Sequence, residues 1–280
     1  MLLRRNFPTI VMLHYVSDDP AHDDLRPWNI SRNSFTRLLD FLQQENYRTL
    51  VFEDIDKGKR RAKSIIITFD DCPKLLWDFA IPELLKRNMK AVFYIPTAQL
   101  GGFNHWNVVE GKPRMDLMDG DDVKKLIEVG MEVGSHAHDH IVLRGMDSRE
   151  VARQLTLSKS ILESIIMKPV ISVAYPYGSV PVNAKRITKE AGYRFGVAVK
   201  TTQQTRYAIR RWIYDDMDNT GTLRWKMSRA YTWYRDSEDK TAFLIKRLSQ
   251  QAYRFYAGFK NILRANFTLI ILLAEDTQYI

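Results

Sequence analysis

Short apolar or β-branched runs recur along the chain, each followed by a longer amphipathic stretch. Residues 9–15, 64–69, 91–96, 132–135, 170–175 and 195–199 read as strands, because each is a short run rich in Val, Ile, Phe or Tyr with polar or turn-forming neighbours. Helix signals lie between and before them. Ser34 caps a helix over 35–44, the acidic cluster 119–122 precedes one over 123–129, and Ser148 begins a long one to about residue 166. Asn183 opens a further helix that ends at Gly192, a residue suited to the left-handed position after a helix. Alternation of strand and helix over the first ~200 residues predicts an α/β fold, a parallel sheet with helical crossovers.

After residue 221 the pattern changes. Leu244, Leu248, Ala252, Phe255, Phe259 and Ile262 follow helical spacing, with Lys246, Arg247, Arg254, Lys260 and Arg264 interspersed. The chain therefore divides into a barrel-forming region, 1–220, and a basic amphipathic C-terminal helical extension, 221–280. Such a helix either lies on an anionic membrane surface or packs against the barrel. The run 267–273 is apolar but short, and no apolar stretch approaches the roughly 18 residues of a transmembrane helix.

Chemistry gathers at the ends of the predicted strands. His136 and His140 follow 132–135, and at i and i+4 around one helical turn they point the same way. Asp70 and Asp71 follow 64–69, His14 lies near the end of the first strand, and Tyr175-Pro176-Tyr177-Gly178 follows the fifth. Active sites of α/β barrels form at that end of the strands. Two imidazoles and a carboxylate make a facial set that leaves positions on a cation open for water and substrate.

Composition narrows the class. A formal net charge of +9 favours contact with anionic surfaces or polymers. Zinc-finger spacing, RNA-binding signatures and a Gly-rich phosphate loop are all missing, so no nucleic-acid partner is expected. The single cysteine, Cys72, excludes an intramolecular disulfide. The N-terminal apolar run is broken by His14 and has no small-residue cleavage site, so a cytoplasmic location is expected, with peripheral contact at the inner face of the membrane through the basic extension.

Taken in order, IIITFDD (65–71), GSHAHDHIVL (134–143) and AYPYG (174–178) resemble the three motifs of the polysaccharide deacetylases, the NodB-like carbohydrate esterase family 4. The resemblance covers roughly residues 9–216. It implies a distorted (β/α) barrel of about seven parallel strands and a metal-dependent hydrolase that removes N-acetyl groups from amino sugars of a polysaccharide or glycolipid precursor. Residue by residue, it implies Asp70 as general base, a divalent ion, zinc first among candidates, on Asp71, His136 and His140, and the Tyr177 backbone N–H as an oxyanion donor. Tyr175, Pro176 and Tyr177 are the implied substrate contacts, and His138 is a second-layer or exposed residue.

The chain also departs from the family's common pattern. No histidine follows His140, so the late Leu-x-His acid has no counterpart. His14 in VMLHYV resembles instead the early-strand acid of the poly-N-acetylglucosamine deacetylase branch. Cys72 and Pro73 replace a glycine and an aromatic, which leaves open an extra thiol ligand or a buried apolar cysteine. Ala137 replaces a Ser or Thr, and Ala174 stands where many members carry an arginine. Arg210 or Arg211 is then an alternative partner for Asp70, with exposed strand-end arginines the simpler expectation. A catalytically silent, glycan- or partner-binding member of the fold and a hydrolase of a non-sugar amide are the competing readings.

Overall fold

The computed structural model of the chain describes residues 7–26, 28–59, 63–201, 204–228, 230–235 and 241. The apolar runs become strands β1 (Thr9–Leu13), β2 (Tyr15–Val16), β3 (Asn29–Ile30), β4 (Arg48–Thr49), β5 (Ser64–Phe69), β6 (Ala91–Ile95), β7 (Glu132–Ser135), β8 (Ser172–Ala174), β9 (Phe195–Ala198), β10 (Ile209–Arg210) and β11 (Trp212–Ile213). β2 and β3 pair with each other; the rest form one sheet in the order β10-β9-β8-β7-β6-β5-β1-β11, with β4 against the start of β5.

Every pairing in that sheet is parallel. Its two edges belong to one extended segment. Ile209 and Arg210 pair with β9, Trp212 and Ile213 pair with β1, and Arg211 sits at the switch between them. The sheet thereby closes on itself. β1, β5, β6, β7, β8, β9 and the divided segment are its staves, in agreement with a distorted barrel of about seven parallel strands.

Alternation along the strands explains the closure. Ile10, Ile66, Val92, Tyr94, Ala174, Val197 and Ile209 form an inner cluster, while their neighbours Val11, Ile65, Ile67, Phe93, Val133 and Val173 join the apolar faces of the helices. Successive side chains point to opposite faces of a strand, so both faces are covered and β5 is buried throughout.

The helices are α1 (Arg32–Gln44), α2 (Phe52–Asp56), α3 (Ala80–Lys86), α4 (His105–Val108), α5 (Gly120–Glu128), α6 (Ser148–Ile166), α7 (Ala184–Glu190) and α8 (Thr220–Lys226). The start of α1 differs from expectation: Ser31 caps it and accepts the Ser34 N–H, while Ser34 is buried inside the helix. α6 begins at Ser148 as expected, capped by Asp147, and Asn183 opens α7 in a left-handed conformation without a side-chain cap. The acidic cluster opens α5 as its cap and first turn, three residues earlier than expected, with Asp119 and Asp122 forming a reciprocal capping box.

The first compact unit spans Met1–Thr232 and includes α8, whose Leu223 is fully buried. The second is Trp233–Ile280. The basic amphipathic stretch expected over 244–264 and the apolar run 267–273 lie outside the described residues. Among the described residues, no helix is long and apolar enough to cross a membrane.

Candidate metal centre and acid–base site

Asp70 and Asp71 follow β5, His136 follows β7, Tyr175 follows β8 and His14 follows β1. All four segments meet at the carboxyl end of the barrel. Asp71 Oδ1 lies 3.1 Å from His140 Nε2 and 3.5 Å from His136 Nε2. All three residues are buried, and their donor atoms lie within 4.8 Å of one another.

The histidines do not converge through a helical turn. Residues 136–140 form no helix, and Ala137 (φ 60°) and His140 (φ 51°) are both left-handed. These two reversals fold the loop back so that the rings lie 4.9 Å apart at 61°. Asp71 (φ 63°) and Cys72 (φ 54°) form a second left-handed pair. That conformation is easy for glycine and costs other residues on the order of 1–3 kcal/mol, which accounts physically for a glycine often occupying the position of Cys72. The Cys72 thiol is buried and donates to the Tyr94 carbonyl at 3.2 Å. It stands outside the donor cluster, so the extra-ligand expectation fails. His138 is also outside, with Nδ1 2.9 Å from Thr97 Oγ1.

His136 Nδ1–H donates to the Ala174 carbonyl at 2.8 Å, which turns the Nε2 lone pair toward the carboxylates. Burial, opposed by Asp70 and Asp71, lowers the His136 pKa to about 4, so the imidazole is neutral, the form that binds metals. Burial alone would raise Asp71, but the charge of His140, with His14 and His136, holds it below the usual carboxylate range. Asp71 Oδ1 and His140 Nδ1 are nevertheless buried without a hydrogen-bond partner. An unpaired buried carboxylate oxygen facing two imidazole nitrogens fits a divalent ion, and this mixed N/O set suits zinc.

Asp70 is held differently. Arg211 Nη1 donates to Oδ1 and Nη2 to Oδ2, each at 2.6 Å, and Nη1 also reaches Thr68 Oγ1 at 3.1 Å. Arg211 is only 1% exposed and Arg210 is buried too, so neither is a solvated strand-end charge. Burial pushes Asp70 upward, but the Arg211 charge outweighs it, with help from His136, and the carboxylate stays ionised. Ala174 thus contributes a carbonyl to His136, while the guanidinium comes from the junction of β10 and β11. The signal in the sequence was an arginine set among Ile209, Trp212 and Ile213.

His14 is half-buried beside this cluster. Burial lowers its pKa against the pull of Asp71 and Asp70, and its ring lies 4.8 Å from Trp28. Tyr177, left-handed at φ 58° and 52% exposed, lies 5.0 Å from the His140 ring. Two expected substrate contacts are not available as such. Tyr175 is fully buried, its hydroxyl donating to the Tyr207 carbonyl and bonded to Thr188 Oγ1, and Pro176 is buried as well. They support the turn that presents Tyr177.

Comparison with known proteins gives the family of the chain. Residues 57–196, half of the chain, match the family model for polysaccharide deacetylase. Poly-beta-1,6-N-acetyl-D-glucosamine N-deacetylase of Staphylococcus aureus is 24% identical over 220 residues, 72% of this chain and 73% of that protein. Among solved structures, Streptococcus pyogenes deacetylase PplD in complex with acetate superposes with a TM-score of 0.66 at 19% identity, over 79% of this chain and 98% of that one. IcaB from Ammonifex degensii gives 0.66 at 19% identity, over 81% and 100% of the respective chains. The structures carry the fold, and the family match contains Asp70, Asp71, His136, His140 and Tyr177, while His14 and Arg211 lie outside it. The chain belongs to the polysaccharide deacetylase family.

Proposed function

We propose that the chain removes N-acetyl groups from amino sugars in a polysaccharide, with Asp71, His136 and His140 holding a divalent ion, zinc by donor type. The observation that carries this reading is the buried Asp71–His136–His140 cluster, with an unpaired carboxylate oxygen, beside an Asp70 clamped by Arg211. A poly-N-acetylglucosamine-like substrate is supported by the Staphylococcus aureus relative, whose name specifies that polymer.

When bound, the ion supplies Lewis-acid polarisation of the acyl oxygen and activation of water. Asp70, kept ionised by Arg211, accepts the proton of the attacking water. The Tyr177 N–H donates to the oxygen that gains charge, a contribution typically of about 3 kcal/mol. His14 gives a proton to the departing amine as the C–N bond breaks, so acetate and a free amino sugar leave. The water proton on Asp70 and the proton lost from His14 balance the step.

Two measurements test this reading. Chelator-stripped protein should release no acetate from N-acetylated β-1,6-glucosamine oligomers and should recover on zinc addition. His136→Ala and His140→Ala should each lose the metal, because one of three protein ligands is gone. Full metal occupancy in both variants, or undiminished deacetylation after complete stripping, overturns it.

A further inference from the structure

His136 and His140 are oriented by different means. His136 has a carbonyl on Nδ1, whereas His140 Nδ1 is buried without a hydrogen-bond partner. The His140 ring is fixed by stacking instead: the Trp106 ring lies against it, with centroids 3.7 Å apart and planes 28° from parallel.

Trp106 sits on the single-turn α4, in a segment that is tightly pinned. Asn104 is fully buried; its Nδ2 donates to the Pro113 carbonyl at 2.9 Å and its Oδ1 accepts the Met115 N–H at 2.7 Å. The segment is tied to the metal-site turn where Met118 N donates to the Cys72 carbonyl at 3.1 Å. One residue after Trp106, Asn107 Nδ2 donates to the Tyr15 hydroxyl at 3.3 Å. Tyr15 is fully buried, so the same short helix is anchored in the fold on both sides of the residue that stacks on His140.

From this arrangement we infer that Trp106 is a positioning residue for the metal ligand His140. The inference rests on the metal-dependent reading above. Stacking suits the task, because an imidazole that gives its lone pair to a cation becomes electron-poor and is favoured against an electron-rich indole face. It also explains how a left-handed His140 keeps one ring plane without a hydrogen bond.

The test is zinc affinity by competition with a chromophoric chelator, independent of turnover. Removing a group that orients a ligand typically weakens metal binding by roughly 10–100-fold, and Trp106→Ala should fall in that range. Trp106→Phe keeps an aromatic face and should restore most of the affinity. Cobalt(II) should quench tryptophan emission in the wild type, with most of that quench absent in Trp106→Phe. Wild-type zinc affinity in Trp106→Ala overturns the inference and leaves the functional reading standing. An unaltered cobalt quench in Trp106→Phe likewise overturns it, even should Trp106→Ala fail to fold. A wild-type chain that binds no divalent ion overturns both.

Discussion

Asp70 and Glu132 are acids with restricted access to water at opposite ends of the barrel strands, and their surroundings give them opposite protonation states. Asp70 follows β5 at the carboxyl end and faces both guanidinium nitrogens of Arg211. Glu132 opens β7 at the amino end, where Oε2 accepts the Glu53 N–H at 2.8 Å and Oε1 accepts the Ser172 hydroxyl at 3.3 Å. Neutral donors do not offset its loss of water, and nearby Glu53 and Asp54 add repulsion, so its pKa is pushed up to about 8. Removal from water raises both acids. A paired cation decides which of them stays ionised. In this barrel the ionised acid sits in the candidate site and the protonated one at the opposite end of the strands.

The sharpest way to break that contrast is to remove the Asp70 charge. Asp70→Asn should keep the zinc and lose deacetylation by on the order of a hundredfold or more, since an amide cannot take the water proton. Wild-type turnover in Asp70→Asn, alongside a metal-free and inactive Asp71→Asn, would show that Asp70 is not the base. Glu132→Gln, at the other end, should leave turnover within about twofold of wild type.

His14 supplies an effect of comparable size. His14→Ala should keep fold and metal and lower amide turnover by about two to four powers of ten. The loss should shrink on an aryl acetate, whose leaving group needs no proton. Equal losses on the two substrates would give His14 a different role. An unaffected His14→Ala with a large loss in His105→Ala would move the acid to the loop after β6, although His105 is exposed there.

Stability separates the clamp from the chemistry. Arg211→Met leaves Asp70 buried without a partner and should cost about 3–5 kcal/mol in urea unfolding. Asp70→Asn with Arg211→Met should recover much of that loss while remaining inactive, a coupling that a double-mutant cycle reads directly. A double variant as unstable as Arg211→Met alone would mean that the guanidinium acts through packing on Tyr94, 5.5 Å from its ring centroid, more than through charge.

These residues also mark what could be read from sequence. The strands over 64–69 and 132–135 were legible to the residue, the first because two-sided burial writes the apolar run SIIITF, the second, EVGS, because it leads directly into the histidines. The donor cluster was legible because its members are chemically distinctive and follow strands. The reason for the histidines' convergence was not, since left-handed backbone at Ala137 and His140 has no glycine to announce it. Arg211 was ambiguous because a buried arginine looks like a solvated one until its partner, 141 positions away, is brought beside it. Trp106 was hidden for the same reason: its stacking partner comes from another loop. The turn at Tyr175 misled in the other direction, its motif identity suggesting substrate contact where its hydroxyl is bonded inside the fold.

The smallest expected effect is the most specific to the comparison, and it concerns Glu132 alone. An ordinary glutamate in the unfolded chain ionises near 4.3, whereas Glu132 in the fold does so at about 8. Between those values the folded state holds a proton that the unfolded state has released, so its contribution to stability falls as pH rises and is exhausted above about pH 8. Asp70, lowered by Arg211, has the opposite sign and lies outside this window. Glu132→Gln keeps an acceptor oxygen for Glu53 N–H and cannot ionise. Its melting temperature should therefore gain on the wild type between pH 6 and pH 9, by an amount on the order of a few degrees, with little difference at pH 5. Parallel melting curves across that range would show that Glu132 is already ionised in the fold, and the contrast with Asp70 would then reduce to geometry without a difference in charge.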